Sequence, residues 1–231
     1  MNSVIHSPLF GLLLTLASYR LGQWLYSRSH HHPLLHPLLV AAVPVSTILL
    51  LVNLDYEAYL RQTSLLHFLL GPATVALAWP LYRQLRSIRN VWQPVLVTTA
   101  VGAVLTVAIA LLIAWLLAAP GEVLASLATK SITTPIAIET ATLIGGYASL
   151  AAGIVAITGI TGALAAPPVF RWLRITDDRV RGFTLGLVAH AIGTARAFEY
   201  SERAGAFASL ALGLTGLLTA LVLPWVWQGL P

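Results

Sequence analysis

The chain contains no cysteine and a single methionine, and only 9% of its 231 residues are charged. The missing cysteines exclude disulfides and thiol catalysis, although they identify no compartment. The scarcity of charge says more, because an ordinary soluble domain carries roughly 25% charged residues. Also absent are the Gly-x-Ser-x-Gly, His-Glu-x-x-His and phosphate-loop patterns that would support a hydrolase or an ATPase. The expectation is therefore a protein that is not an enzyme and needs no cofactor. Thirteen basic residues against eight acidic ones leave a net charge of +5. That excess needs no nucleic-acid partner, since the basic residues cluster in loops as the positive-inside rule describes.

Long apolar runs fill the space. Hydrophobic residues make up 58% of the chain, and the mean hydropathy is +0.83. Residues 91–119 and 204–230 contain no charge at all, and each run exceeds the roughly 20 residues that cross a ~30 Å hydrocarbon core. The fold class expected is an all-α polytopic membrane protein of about seven or eight segments. Residues 4–19 lack a basic leader and a cleavage site, so they read as the first span. Further spans are expected over 37–53, 64–82, 91–118 and 149–167, with a last one opening at the small-residue stretch 204–213. The loops bearing Arg83, Arg86 and Arg89 and Arg171, Arg174, Arg179 and Arg181 are expected to be cytoplasmic. Only one clean span separates the second loop from 121–148, so that segment must enter and leave on one side, as a re-entrant or broken helix. Residues 182–203 mix Gly182, His190, Arg196 and Glu199 with small residues, which suits a broken helix packed inside the bundle.

A weak echo links Gly71-Pro-Ala-Thr-Val-Ala-Leu-Ala78 with Thr134-Pro-Ile-Ala-Ile-Glu-Thr-Ala141 at an offset of 63. Both place a proline after a small or hydroxyl residue, as at a helix start. Paired interrupted helices mark transporter binding sites, so halves of about 1–120 and 121–231 become candidate inverted repeats within one domain of 1–231.

Several longer motifs carry a family resemblance. Lys130-Ser-Ile-Thr-Thr-Pro-Ile-Ala137, Ile144-Gly-Gly146, Ala189-His-Ala-Ile-Gly-Thr-Ala-Arg196 and Gly205-Ala-Phe-Ala-Ser-Leu-Ala211 resemble the CidB/LrgB family. His36-Pro-Leu-Leu-Val-Ala41 and Gly71–Tyr82 are similar to its N-terminal half. Thr129, Ala148 and Ala208 depart from the pattern, which touches loop stiffness and one hydroxyl. The resemblance implies a bacterial inner-membrane protein, either an antiholin-like regulator of murein hydrolase activity or a transporter. A regulator of this kind acts with a small holin-like partner of the LrgA/CidA type. The transport expectation concerns small carboxylates such as pyruvate, glycolate and 3-hydroxypropionate, as in the related plastid glycolate/glycerate translocator.

Candidate substrate-binding residues are Lys130, Ser131, Thr133, Thr134 and Pro135, with Pro72 and Thr74 at the echo and His190, Thr194 and Arg196 in the polar segment. Thr134 and Pro135 would cap and open a half-helix whose free N–H groups favour an anion; an ordinary cap with a snorkelling lysine is the alternative. Glu139, one turn further on, and His190 are the candidates for proton coupling, with a scaffold role as the rival reading. Arg196, Glu199 and Arg203 suit an ion-pair ladder, and Arg196 also suits bidentate carboxylate binding. His30-His-His32 reads as a solvated turn before Pro33 rather than a metal site, so no metal is expected. The small residues permit self-association without specifying it.

Overall fold

The computed structural model describes residues 5–29, 35, 37–76 and 78–229, with backbone only at 70, 71, 73, 74, 78, 80 and 81. Among the described residues every regular element is an α-helix. In chain order they are α1 (Pro8–Arg28), α2 (Pro37–Leu51), α3 (Tyr56–Gln62), α4 (Ser64–Ala76), α5 (Ala78–Arg83) and α6 (Leu85–Arg89). Then follow α7 (Trp92–Leu116), α8 (Gly121–Ala128), α9 (Thr134–Leu143), α10 (Ala148–Trp172), α11 (Asp178–Tyr200) and α12 (Glu202–Gln228). By length and composition α7, α10 and α12 qualify to cross a membrane; α2 and α3, bent by 117°, add a fourth if they count as one span.

Among the described residues these long spans do not by themselves make up the seven or eight segments expected, a number that included re-entrant and broken helices, and several apolar stretches are indeed short or divided. α2 has 15 residues and α4 has 13, while 121–143 is divided into helices of 8 and 10 residues. A 10-residue helix covers only ~15 Å, half of the hydrocarbon core. Pro72 also departs from expectation. It lies inside α4, which starts at Ser64, and so does not open a helix as Pro135 nearly does. A helix already under way tolerates such a proline as a kink, and the echo between 71–78 and 134–141 is one of composition rather than of helix starts. The histidine triplet and Leu77 lie outside the described residues.

The chain divides into two compact units, Met1–Ala76 and Leu77–Pro231. In the first, Gly22 lets α1 touch the start of α2: a Cβ there would lie 2.6 Å from the Pro37 carbonyl oxygen. Thr15 shares a 2.7 Å hydrogen bond with the Tyr59 hydroxyl, and Gln62 Nε2 donates to Ile5 O at 2.8 Å.

In the second unit α11 is not straight. Its backbone leaves the helical region at His190, with φ 42° and ψ −127°. A straight helix of 23 residues would hold its ends ~33 Å apart. Instead Ser201, just past the end, donates its hydroxyl to Asp178 Oδ2 at 2.7 Å, and the Arg181 guanidinium stands 5.5 Å from the Tyr200 ring. Gly193 comes so close to Leu185 that a Cβ would sit 2.1 Å from its carbonyl oxygen. Thus 178–189 runs inward, the chain reverses at His190, and 191–200 runs back. α12 then starts beside the entrance, N-capped by Ser201, which accepts from Ala204 N at 3.0 Å.

The inward half of α11 and the start of α12 run in the same direction. Gly182 faces Ala204 and Gly186 faces Ala208, and a Cβ on either glycine would fall 2.0 or 2.1 Å from the opposing carbonyl oxygen. Small residues four apart permit this backbone contact. Gly186→Val is therefore expected to force the two helices apart, at about 3 kcal/mol or more, and to abolish recovery of monodisperse protein. Gly213→Ala is the control, since nothing lies within 4 Å of that position; it should be recovered as well as wild type.

At the mouth of this hairpin Asp177 caps α11. Its Oδ1 accepts from Arg179 N at 2.8 Å and its Oδ2 from Arg179 Nη2 at 2.5 Å, which holds the carboxyl down to about 2. A depressed carboxylate stabilises the fold above its ordinary range and loses that contribution as pH falls toward 2. Asp177→Asn keeps the cap but drops the charge. Its deficit in melting temperature should be constant from pH 7 to pH 5 and close between about pH 4 and pH 2, remaining small because the pair is screened by solvent.

Candidate functional site

α8 is C-capped by Thr129, whose hydroxyl donates to Ser126 O at 2.9 Å, and the chain turns through Lys130, Ser131 and Ile132. Lys130 N bonds Leu127 O at 3.1 Å, and the half-buried Lys130 Nζ donates to the buried Ser131 hydroxyl at 3.2 Å. Thr133 is the N-cap of α9, with φ −70° and ψ 148° and no side-chain capping bond, so the helix starts one residue earlier than the position of Pro135 suggests. Thr134 and Pro135 are its first two residues. The first backbone bond into the helix runs from Ala137 N to Thr133 O at 2.9 Å. Among the described residues the N–H groups of Thr134 and Ile136 have no hydrogen-bond partner.

This first break folds back as well. Tyr147 N donates to Ser126 Oγ at 2.8 Å, which brings the start of α10 beside α8. Gly145 makes the turn with φ 83°, a conformation that favours glycine. Gly146 rests against Ser126 with no room for a Cβ, which would lie 2.7 Å from Ser126 N.

The second break is the tip of α11. His190 is 3% exposed, and its Nε2 donates to the Val155 carbonyl at 2.9 Å, so the neutral ring carries its proton there. The Thr194 hydroxyl donates to His190 O at 2.9 Å. Gly159 makes space for the ring, since a Cβ there would lie 2.6 Å from His190 Cε1. Val155 also forms a buried cluster with Ile132 and Ala137, against which Ile136 packs. Both fold-back segments therefore meet α10 at one residue, its carbonyl holding His190 and its side chain the 129–137 turn.

Residues 15–228 match the LrgB-like family. The chain belongs to that family. It is 35% identical over 215 residues to the uncharacterized protein YxaC of Bacillus subtilis (strain 168), covering 93% of each chain. An uncharacterized protein of Haemophilus influenzae is 33% identical over 184 residues, 80% of each chain. The Antiholin-like protein LrgB of Bacillus cereus (strain B4264) is 29% identical over 218 residues, 94% of this chain and 95% of the relative. No solved structure matches.

This LrgB-like fold gathers some of the expected residues and disperses others. Lys130, Ser131, Thr133, Thr134 and Pro135 share the first break, and His190 with Thr194 forms the second. Arg196 lies on the returning half of α11, six residues past the tip, ion-paired with Glu199 and 5.8 Å from the Tyr200 ring. It stands toward the mouth, at about 9 Å of helix from His190. Glu139 is exposed on α9. Pro72 belongs to the first unit, and the side chain of Thr74 lies outside the described residues. Val155 and Gly159 were not foreseen, because a backbone carbonyl and a missing Cβ leave no mark in an apolar run.

The joint at Val155 is open to a direct test. Gly159→Ala places a methyl group against the His190 ring and should cost about 1–3 kcal/mol, read as a lower melting temperature in detergent. Gly153→Ala, on the same helix with nothing within 4 Å, should raise stability by about 0.5–1 kcal/mol through helix propensity alone.

Proposed function

We propose that this LrgB-like protein is a secondary transporter of small hydroxy- or keto-monocarboxylates of the pyruvate, glycolate and 3-hydroxypropionate class. In this reading it is a multi-pass protein of the bacterial inner membrane and moves its substrate unchanged. The observation that carries the reading is the meeting of two interrupted, polar fold-back segments at Val155 on α10. Irregular backbone at membrane depth survives only when buried in protein or lining a cavity, and a pure scaffold has no need of Lys130, Ser131 and His190 there.

A carboxylate leaving water must have its hydration replaced by aimed donors. The free N–H groups of Thr134 and Ile136, the Ser131 and Thr134 hydroxyls and the Lys130 ammonium are such a set. His190 is the candidate for proton coupling, as the imidazole at the meeting of the two segments, with its Nε2 held by the Val155 carbonyl. Alternating access then follows from movement of the fold-back segments against the spans.

A second reading has its own support. Relatives of this chain carry the name Antiholin-like protein LrgB, which favours a regulator of murein hydrolase activity acting with a small holin-like partner of the LrgA/CidA type. Counterflow of labelled carboxylates in liposomes separates the two. The transport reading expects saturable flux with this chain alone or with its partner, whereas the absence of flux in both preparations leaves only the regulator.

Within the transport reading, Lys130→Met should weaken apparent affinity by about 1.5–3 kcal/mol, the worth of a charged hydrogen bond. Thr134→Val should cost about 0.5–1.5 kcal/mol. Unchanged kinetics in both, at matched protein levels, would show the 129–134 turn to be scaffold.

A further inference from the structure

Away from the two breaks, α5 and α6 carry three arginines within seven residues. Arg83 is engaged, its Nη1 lying 2.7 Å from Glu202 Oε1. Arg86 and Arg89 are exposed, and among the described residues neither has an ion pair. They stand three apart on a helix, on one face. Together with Tyr82, Arg83, Leu85 and Asn90 they line an open cavity of about 730 Å³. Of the exposed aromatic rings nearby in the chain, Tyr82 lines it. Trp79 and Tyr82 stack at 6.2 Å and are 65% and 69% exposed, and Trp92 at the start of α7 is 55% exposed.

Exposed tryptophan and tyrosine beside an apolar span sit at the level of lipid headgroups. That frame places the two uncompensated guanidinium groups where phosphate is dense, and their forked donors match phosphate oxygens. We infer that the Arg86–Arg89 face binds the phosphodiester headgroup of an anionic membrane lipid, with the aromatic rings beside it at headgroup level. Glu202 is the acid paired at this site and neutralises Arg83, which leaves two positive charges for the lipid. The site is independent of the transport reading, since it touches neither break.

The test uses the purified full-length chain titrated with phosphatidylglycerol and, separately, with phosphatidylcholine and inorganic phosphate, read by native mass spectrometry and melting temperature. Phosphatidylglycerol should bind more tightly than phosphatidylcholine. The Arg86→Gln/Arg89→Gln variant should lose about 25-fold in affinity, about fivefold per arginine. Both side chains are exposed, so the variant should fold as wild type. Arg61→Gln, which removes an exposed arginine from the first unit, should bind as wild type does. Equal binding of the two lipids, wild-type affinity in the double variant, or an equal loss in Arg61→Gln would each overturn the assignment. Inorganic phosphate binding as tightly as the lipid would overturn it in favour of a free-anion site.

Discussion

The second unit depends on one constraint, the capture of a reversed helix by the backbone of a span. His190 takes a conformation rare for a residue with a side chain, at a cost of order 1–3 kcal/mol. It is held there by a 2.9 Å bond to Val155 O and by Thr194, which satisfies the carbonyl freed at the turn. A helical carbonyl keeps a second lone pair after serving its own helix, so α10 can anchor the tip without losing its ladder. The side chain of the same residue packs against Ile132 and Ala137 of the 129–137 turn, and both interruptions thereby rest on one residue of α10.

Close approach makes this affordable in space. Gly182, Gly186 and Gly193 bring backbone to within a missing Cβ of backbone, and Gly159 and Gly162 admit His190 and Ala189 against α10. Glycine in a helix interior costs roughly 0.5–1 kcal/mol relative to alanine. Gly153 and Gly213 meet no neighbour, so the remaining glycines divide by what they touch rather than by where they fall in the sequence.

Charge gathers at the mouth of the α11 hairpin. Asp177 holds Arg179, Asp178 receives Ser201 and meets Arg181 at 3.6 Å, and Glu202 holds Arg83. The two ends of α11, the start of α12 and the end of α5 are fastened there, while the tip carries only His190 and Thr194.

The sequence alone determined that the chain is apolar, all-helical and interrupted near Pro135 and somewhere within 182–203, because composition, runs longer than a membrane and polar residues in apolar surroundings are local properties. It also located the arginine clusters. Tertiary structure decided which interruptions reverse the chain and which merely kink it: Pro72 and Pro135 share a similar sequence setting, yet one lies within a helix and the other near a start. It decided that Arg196 turns toward Glu199 and Tyr200 rather than the tip. Above all it selected Val155 and Gly159, one valine and one glycine among many in apolar helices. Their role resides in a carbonyl direction and an empty volume, and both exist only once the second segment has folded back against the first.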